Sequence, residues 1–226
     1  MEIESGVVSF QGKKGKVSGF LAKPTLAGTK NAIIVVQEWW GINDFVKNVT
    51  KNFAKQGYVA LAVDLYDGKV TKNGQEASAM MYSLSIEKAM HHLSAGYNYL
   101  KNLGVKKIGT VGFCMGGRIA LIFAATEKLD AAVDFYGAQI ELQFSYVKNL
   151  SCPIFCIFGG KDPSISEDEI NELRREFIRN NKEYKIETYP NATHAFFNDT
   201  RPEVYNKEAA NDVWPKVVEF FNKNLK

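Results

Sequence analysis

The chain reads as an α/β protein with a mostly parallel central sheet covered by helices on both faces. Two patterns predict this. Apolar runs of strand length recur along the chain, and most are followed by roughly 10–15 residues with helical periodicity. That alternation is the sequence form of the right-handed βαβ unit. No repeat, low-complexity tract or linker interrupts it, so residues 1–226 are expected to form one domain.

Taken in order, "VVSFQGKKGKVSGFLAKP" alternates weakly about "GKKGK" and predicts an amino-terminal hairpin. "NAIIVVQEWW" is nearly continuous in apolar residues, as in a strand covered on both faces. A helix follows. Asn43 or Asp44 can cap it, Phe45, Val46, Val49 and Phe53 form its apolar face, and Gly57 ends it. "YVALAVDLY" predicts the next buried strand, and the stretch from Thr71 to Leu103 has the composition of a long crossover helix. "KIGTVGFC" leads into the helix "GGRIALIFAAT". "AAVDFYG" and "PIFCIFGG" are further strands, the second followed by a capped helix from about Ser166 to Asn180. "YKIETYP" is the last strand. The closing helix, "AANDVWPKVVEFFNKNL", has Pro215 near its first turn or at a kink.

Composition narrows the function classes. A formal net charge of +3, with acids interspersed among the lysines, offers no basic stripe for nucleic acid. No apolar stretch approaches the ~18 residues of a membrane span, and "MEIESGVVSF" lacks the apolar core of a signal peptide. Three cysteines, two of them (Cys152 and Cys156) in one apolar run too extended to bridge, imply reduced thiols and a cytoplasmic location. The N-x-T triplets at Asn48, Asn191 and Asn198 are then chance matches. Nucleotide, metal and coenzyme signatures are missing. G-x-G-x-x-G does not occur, and no G-K-[ST] follows the glycines near Cys114, so no cofactor or metal is expected.

The chemistry concentrates at Gly112-Phe113-Cys114-Met115-Gly116, a cysteine flanked by glycines between a strand and a helix. A nucleophile on so sharp a turn takes strained backbone angles, and its neighbours two positions away come too close to carry side chains. The following helix aims its amides at the thiol and favours the thiolate. The bland alternative is a small buried cysteine beside packing glycines. Such an elbow predicts an acid and then a histidine later in the chain. After Cys114 only His194 remains, in the loop "YPNATHAFFND" beyond the last strand. Asp162, in "GGKDP", is the candidate acid, with the role of holding the imidazole tautomer. Its rivals, Asp134 and Asp168, fall inside a strand and in the first turn of a helix. The oxyanion donors would be the Met115 N–H and one from "QEWWGIND", assigned to Trp39. Trp40, Tyr66, Phe196 and Phe197 are candidates to line a substrate pocket, or else core. His91 and His92 read as ordinary helix residues.

"QEWWGIND", "VDLY", "GFCMGGR", "GGKD" and "THAFFNDTRP", in this order, resemble the dienelactone hydrolase (carboxymethylenebutenolidase) family of α/β-hydrolases, from about residue 30 onward. The resemblance implies the α/β-hydrolase fold and a Cys114–His194–Asp162 triad. It also implies that Glu38 contacts the resting thiol and moves away when substrate binds. A carboxylate there disfavours a second negative charge and protects the thiol from oxidation. The chain departs from the family at two positions. Gly68 and Asn198 stand where prototype members place arginines for an anionic lactone, and Lys69, Arg118 and Arg201 are the possible substitutes. The expected function is hydrolysis of small-molecule esters or lactones through a thioacyl-enzyme. A non-hydrolytic small-molecule binder and a lyase on the same fold are the competing readings.

Overall fold

Most of the apolar runs of the sequence become strands buried on both faces, and the segments after them become the loops that carry the candidate site. The structure, a computed structural model, describes residues 1–26, 28 and 30–225. Contacts divide the chain into two units, Met1–Thr110 and Val111–Lys226.

In the first unit, β1 (Ile3–Gly12) and β2 (Gly15–Pro24) form the expected antiparallel hairpin, with Phe10 opposite Val17. β2 then pairs antiparallel with β4 (Val59–Val63), and β4 pairs parallel with β3 (Asn31–Val36). The order is thus β1-β2-β4-β3. The strand expected from "NAIIVVQEWW" stops at Val36, and Gln37–Trp40 turn away as loop. α1 (Asp44–Lys55) connects β3 to β4. The Asn43 side chain accepts the Val46 N–H at 3.2 Å, and Gly57 ends the helix at φ +93°, where a side chain would be strained. The predicted face of Phe45, Val46, Val49 and Phe53 is buried, each side chain contributing about 2 kcal/mol.

The long crossover is two helices, α2 (Gly74–Ser83) and α3 (Ile86–Asn102). Leu84 takes an extended conformation, and the Ser85 side chain accepts the Lys88 N–H, restarting the helix with a new cap. β5 (Lys107–Phe113) crosses the division between the units. Its first half lies beside β3, with the Thr110 hydroxyl donating to the Ile34 carbonyl at 3.3 Å.

The second unit continues from Val111 with the order β5-β6-β7-β8. β6 (Ala131–Phe135), β7 (Ile154–Gly159) and β8 (Tyr184–Tyr189) are parallel, with Val133 opposite Phe155 and Phe155 opposite Lys185. β6 and β7 are buried throughout, whereas β8, at the edge, is half-buried with exposed positions. α4 (Met115–Thr126) is buried along its first ten residues, which accounts for its uniformly apolar sequence. A 3-10 turn (Ile140–Gln143) and the one-turn α5 (Phe144–Val147) follow β6. α6 (Glu167–Arg179) starts at Ser166 with a capping box completed by Glu169. α7 (Lys207–Leu225) begins earlier than expected and carries Pro215 inside it as the ninth residue.

Candidate active site

β5 ends in a chain reversal that Gly112 permits. Cys114 has φ 57° and ψ −123°, outside the regions open to most side chains. Its N–H donates to the Phe135 carbonyl at 3.0 Å, and its own carbonyl accepts the Gly117 N–H at 2.9 Å. Those bonds hold the strained residue between β6 and α4. Gly112 is required by the same reversal, because a Cβ there would overlap the Gly116 carbonyl and stand 2.8 Å from the Gly117 nitrogen. Met115 opens α4, so its N–H belongs to the set that a helix leaves without an intrahelical acceptor.

The loops after β7 and β8 supply the partners. Asp162 follows Gly159-Gly160, with its carboxylate nearly buried. One carboxylate oxygen accepts the Ser164 N–H at 2.8 Å, and the other lies 2.6 Å from His194 Nδ1. Both oxygens are therefore held in place. The Cys114 side chain also interacts electrostatically with the His194 ring. Burial alone would lower the His194 pKa, but the hydrogen bonds and charges of Asp162 and Cys114 outweigh it and push it up to about 10. The arrangement thus favours the imidazolium over the neutral ring. Cys114 is partly exposed, while Cys152 and Cys156 are buried. Burial, aided by Asp130, pushes the Cys152 thiol up to about 12, and burial aided by Asp134 lifts Cys156 well above its usual value. Of the three cysteines, only Cys114 combines partial exposure with a neighbouring imidazole.

The structure therefore brings together Cys114, Met115, His194 and Asp162 within the second unit. Phe196 is fully buried against Phe135, Tyr136 and Tyr189. Phe197 is half-buried and stacks on Phe113 at 5.9 Å. The rival acids stay where the sequence put them, Asp134 inside β6 and Asp168 in the first turn of α6.

In the first unit, Glu38 is buried and Trp39 and Trp40 are half-buried, their rings edge-to-face at 4.9 Å. Their loop is tied down. Glu38 O accepts the Gly41 N–H at 3.4 Å, and Trp40 O accepts the Thr71 N–H at 3.1 Å. Tyr66 is buried in the turn after β4, where the Asp64 carboxylate accepts the Tyr66 and Gly68 N–H groups.

The two family arginine positions have other work. Gly68 sits at φ +88° in the Asp64 turn, a conformation that disfavours a long side chain. Asn198 is buried, and its side-chain oxygen accepts the Thr200 N–H at 3.0 Å and hydroxyl at 2.7 Å. Among the suggested substitutes, Arg118 donates to Gln139 and Arg201 pairs with Glu203.

Sequence reasoning missed the segment Phe135–Gln139, which lies under the elbow. Tyr136 and Gln139 have φ 43° and 57°, and the Tyr136 ring lies 5.2 Å from that of His194. The Ala138 N–H reaches the Cys114 carbonyl at 3.4 Å. The signal available was "FYG" closing a buried strand.

Among the described residues, no helix is long and apolar enough to cross a membrane, and no cluster of side chains has the makings of a metal site. The family model described as "Dienelactone hydrolase family" matches residues 17–225. "Protein usf" of Aquifex pyrophilus is 33% identical, the match covering 97% of this chain and 98% of that one. A protein of Aquifex aeolicus named "Putative carboxymethylenebutenolidase" is also 33% identical, over 97% of this chain and 99% of its own. A Klebsiella pneumoniae crystal structure titled "Putative Dienelactone Hydrolase" superposes with TM-score 0.92 at 26% identity, covering 99% of this chain and 100% of that one. With an α/β fold of eight mostly parallel strands and a matching family model over nearly its whole length, this chain is a hydrolase and belongs to the dienelactone hydrolase family.

Proposed function

We propose that the chain hydrolyses small esters or lactones through a covalent thioacyl-enzyme, with Cys114 as nucleophile, His194 as base and Asp162 as orienting acid. The observation that carries this reading is the His194 ring, held by Asp162 at 2.6 Å and interacting with Cys114, whose backbone is strained at the start of α4. With Nδ1 occupied by Asp162, the ring's other nitrogen takes the thiol proton. The sulfur attacks the substrate carbonyl carbon, and the carbonyl π pair moves onto oxygen. The Met115 N–H and, in this proposal, the Trp39 N–H stabilise that oxyanion. The oxyanion collapses, the C–O bond to the leaving alkoxide breaks, and His194 returns the proton to it. Water, deprotonated by His194, then cleaves the thioester and the proton goes back to sulfur. Glu38 is proposed to contact the thiol in the resting enzyme and to move away on substrate entry. Trp40, Tyr66, Phe196 and Phe197 are proposed to shape the substrate pocket. Residues 1–226 are taken to act as one domain, and three unbridged cysteines suit a reducing compartment such as the cytoplasm.

The test is intact-protein mass after brief exposure to p-nitrophenyl acetate, with nitrophenol release followed in parallel. An acetyl adduct and turnover on the natural chain, both lost in Cys114→Ala, are expected. Equal turnover in both proteins would refute the assignment of Cys114.

A further inference from the structure

β6 buries an aspartate that the proposed chemistry does not use. Asp134 is fully buried, and neither carboxylate oxygen has a hydrogen-bond partner of good geometry among the described residues. Its surroundings are close and specific. A Cβ on Gly117, in the first turn of α4, would overlap one Asp134 oxygen and stand 2.7 Å from the Phe135 carbonyl. A Cβ on Gly137 would stand 2.5 Å from both Asp134 oxygens and 2.7 Å from Gln143 Nε2. The carboxyl group is therefore wedged between the helix that carries the nucleophile and the segment Phe135–Gln139, with the Gln143 amide as neighbour. Gln143 is also fully buried, and its Oε1 lacks a partner as well.

The chemistry of this pair selects a protonation state. A carboxylate offers only acceptors, so the Gln143 oxygen stays unsatisfied beside it. A neutral carboxylic acid can donate its O–H to that oxygen while accepting from the amide N–H, and the pair then satisfies itself. The amide nitrogen and oxygen can exchange places by a simple rotation. Groups facing Asp134 give little else. Arg118 on α4 exerts an attractive field, but its guanidinium hydrogen-bonds Gln139. From β7 the neighbour is the Cys156 thiol. β5 presents only Val111, Gly112 and Phe113 in this unit. On α7, Asp212 and Lys216 are engaged with each other and with β8. Burial accordingly raises the Asp134 carboxyl to about 7, opposed by Gln143, Gly137 and Arg118.

We propose that Asp134 is a positioning residue for Cys114, fastening the Phe135–Gln139 segment beneath the nucleophile as a neutral acid paired with Gln143 and releasing it on ionisation. The inference rests on the reading of Cys114 as nucleophile. Loss of the proton to solvent breaks the acid–amide pair and places a negative charge below the helix start that favours the thiolate. The segment in question holds the Cys114 N–H through Phe135 O and the Cys114 carbonyl through the Ala138 N–H. Its loosening would therefore reach the thiol directly.

The experiment compares the natural chain, Asp134→Asn and Cys114→Ala in p-nitrophenyl acetate turnover and in alkylation of Cys114 by iodoacetamide, from pH 5.5 to 8.5. Asparagine keeps the neutral shape and cannot ionise. The expected ratio of Asp134→Asn to natural rate is near one at pH 6 and rises to about ten at pH 8, in both assays. A ratio that does not change with pH, with Cys114→Ala inactive, overturns the role of Asp134 and leaves the nucleophile intact. Turnover surviving in Cys114→Ala overturns both. If Asp134→Asn does not fold, hydrogen exchange of the natural chain decides. Protection factors of the Cys114 and Ala138 amides should fall between pH 6 and pH 8, and unchanged protection refutes the proposal.

Discussion

Replacing Asp162 by asparagine should disable the site through the tautomer of His194 rather than through loss of shape. Asp162 uses one oxygen for the Ser164 N–H and the other for His194 Nδ1. Asparagine has one acceptor and one donor end. With its oxygen on the Ser164 N–H, its NH2 faces Nδ1, which must then be the acceptor and leave the hydrogen on the other nitrogen. That nitrogen can no longer take the Cys114 proton. The expected loss in kcat/KM is about 10³-fold or more. The electrostatic side is also large. Raising His194 from its usual 6.5 to about 10 corresponds to about 5 kcal/mol of net preference for the imidazolium. Because the folded-state pKa is raised, this stabilisation is complete below about 6.5 and fades as pH climbs through about 10. The assay is an NMR titration of the His194 Cε1 proton beside ester turnover in both proteins. The natural ring should remain charged through pH 8, and in Asp162→Asn it should titrate well below that. A natural His194 that titrates near 6.5, or an Asp162→Asn variant with undiminished turnover, would refute the reasoning.

Three further outcomes are expected. Gly112→Ala should cost at least about 3 kcal/mol in urea unfolding and abolish rapid Cys114 alkylation, since the added Cβ would overlap the Gly116 carbonyl. A variant of unchanged stability would contradict the close approach at the elbow. Brief iodoacetamide treatment of the folded chain should label one thiol, Cys114, with Cys152 and Cys156 reacting only after denaturation, as peptide mass mapping would show. Asp134→Asn should raise the melting temperature above pH 7, and the gain should shrink toward zero near pH 4. A carboxyl raised from 3.8 to about 7 costs the natural fold up to about 4 kcal/mol once ionised, and nothing while both states are protonated. A gain constant from pH 4 to pH 8 would show that Asp134 does not titrate in that interval.

Much of the architecture was legible because it depends on local patterns. Continuous apolar runs marked β3, β4, β6 and β7, which are buried on both faces. Asn43, one of two candidate caps, and Ser166 both stand at the start of a helix. Apolar character alone did not mark where a strand stops. Gln37–Trp40 leave β3 although the run continues, and Leu84-Ser85 split a stretch of uniform helical composition. The loop after β3 is held by backbone bonds from Gly41 and Thr71, and α3 starts on the Ser85 side-chain cap.

The sequence by itself determined the α/β class, the glycine-flanked cysteine and the order of the acid and histidine that follow it. Each is written in contiguous residues, through strand and helix periodicity or through glycines whose missing side chains permit the turn. Only the tertiary structure decided which acid meets His194. Asp134, Asp162 and Asp168 all follow Cys114 in the chain, and the loop after β7 is what brings Asp162 within 2.6 Å of the ring. It alone disclosed the segment beneath the elbow and the buried Asp134 and Gln143 at its root. Asp134, Gln143 and Gly117 are scattered in sequence and become neighbours when β6 packs under α4. Hydrogen bonds and buried charge depend on distances between such residues, and sequence order does not record those distances.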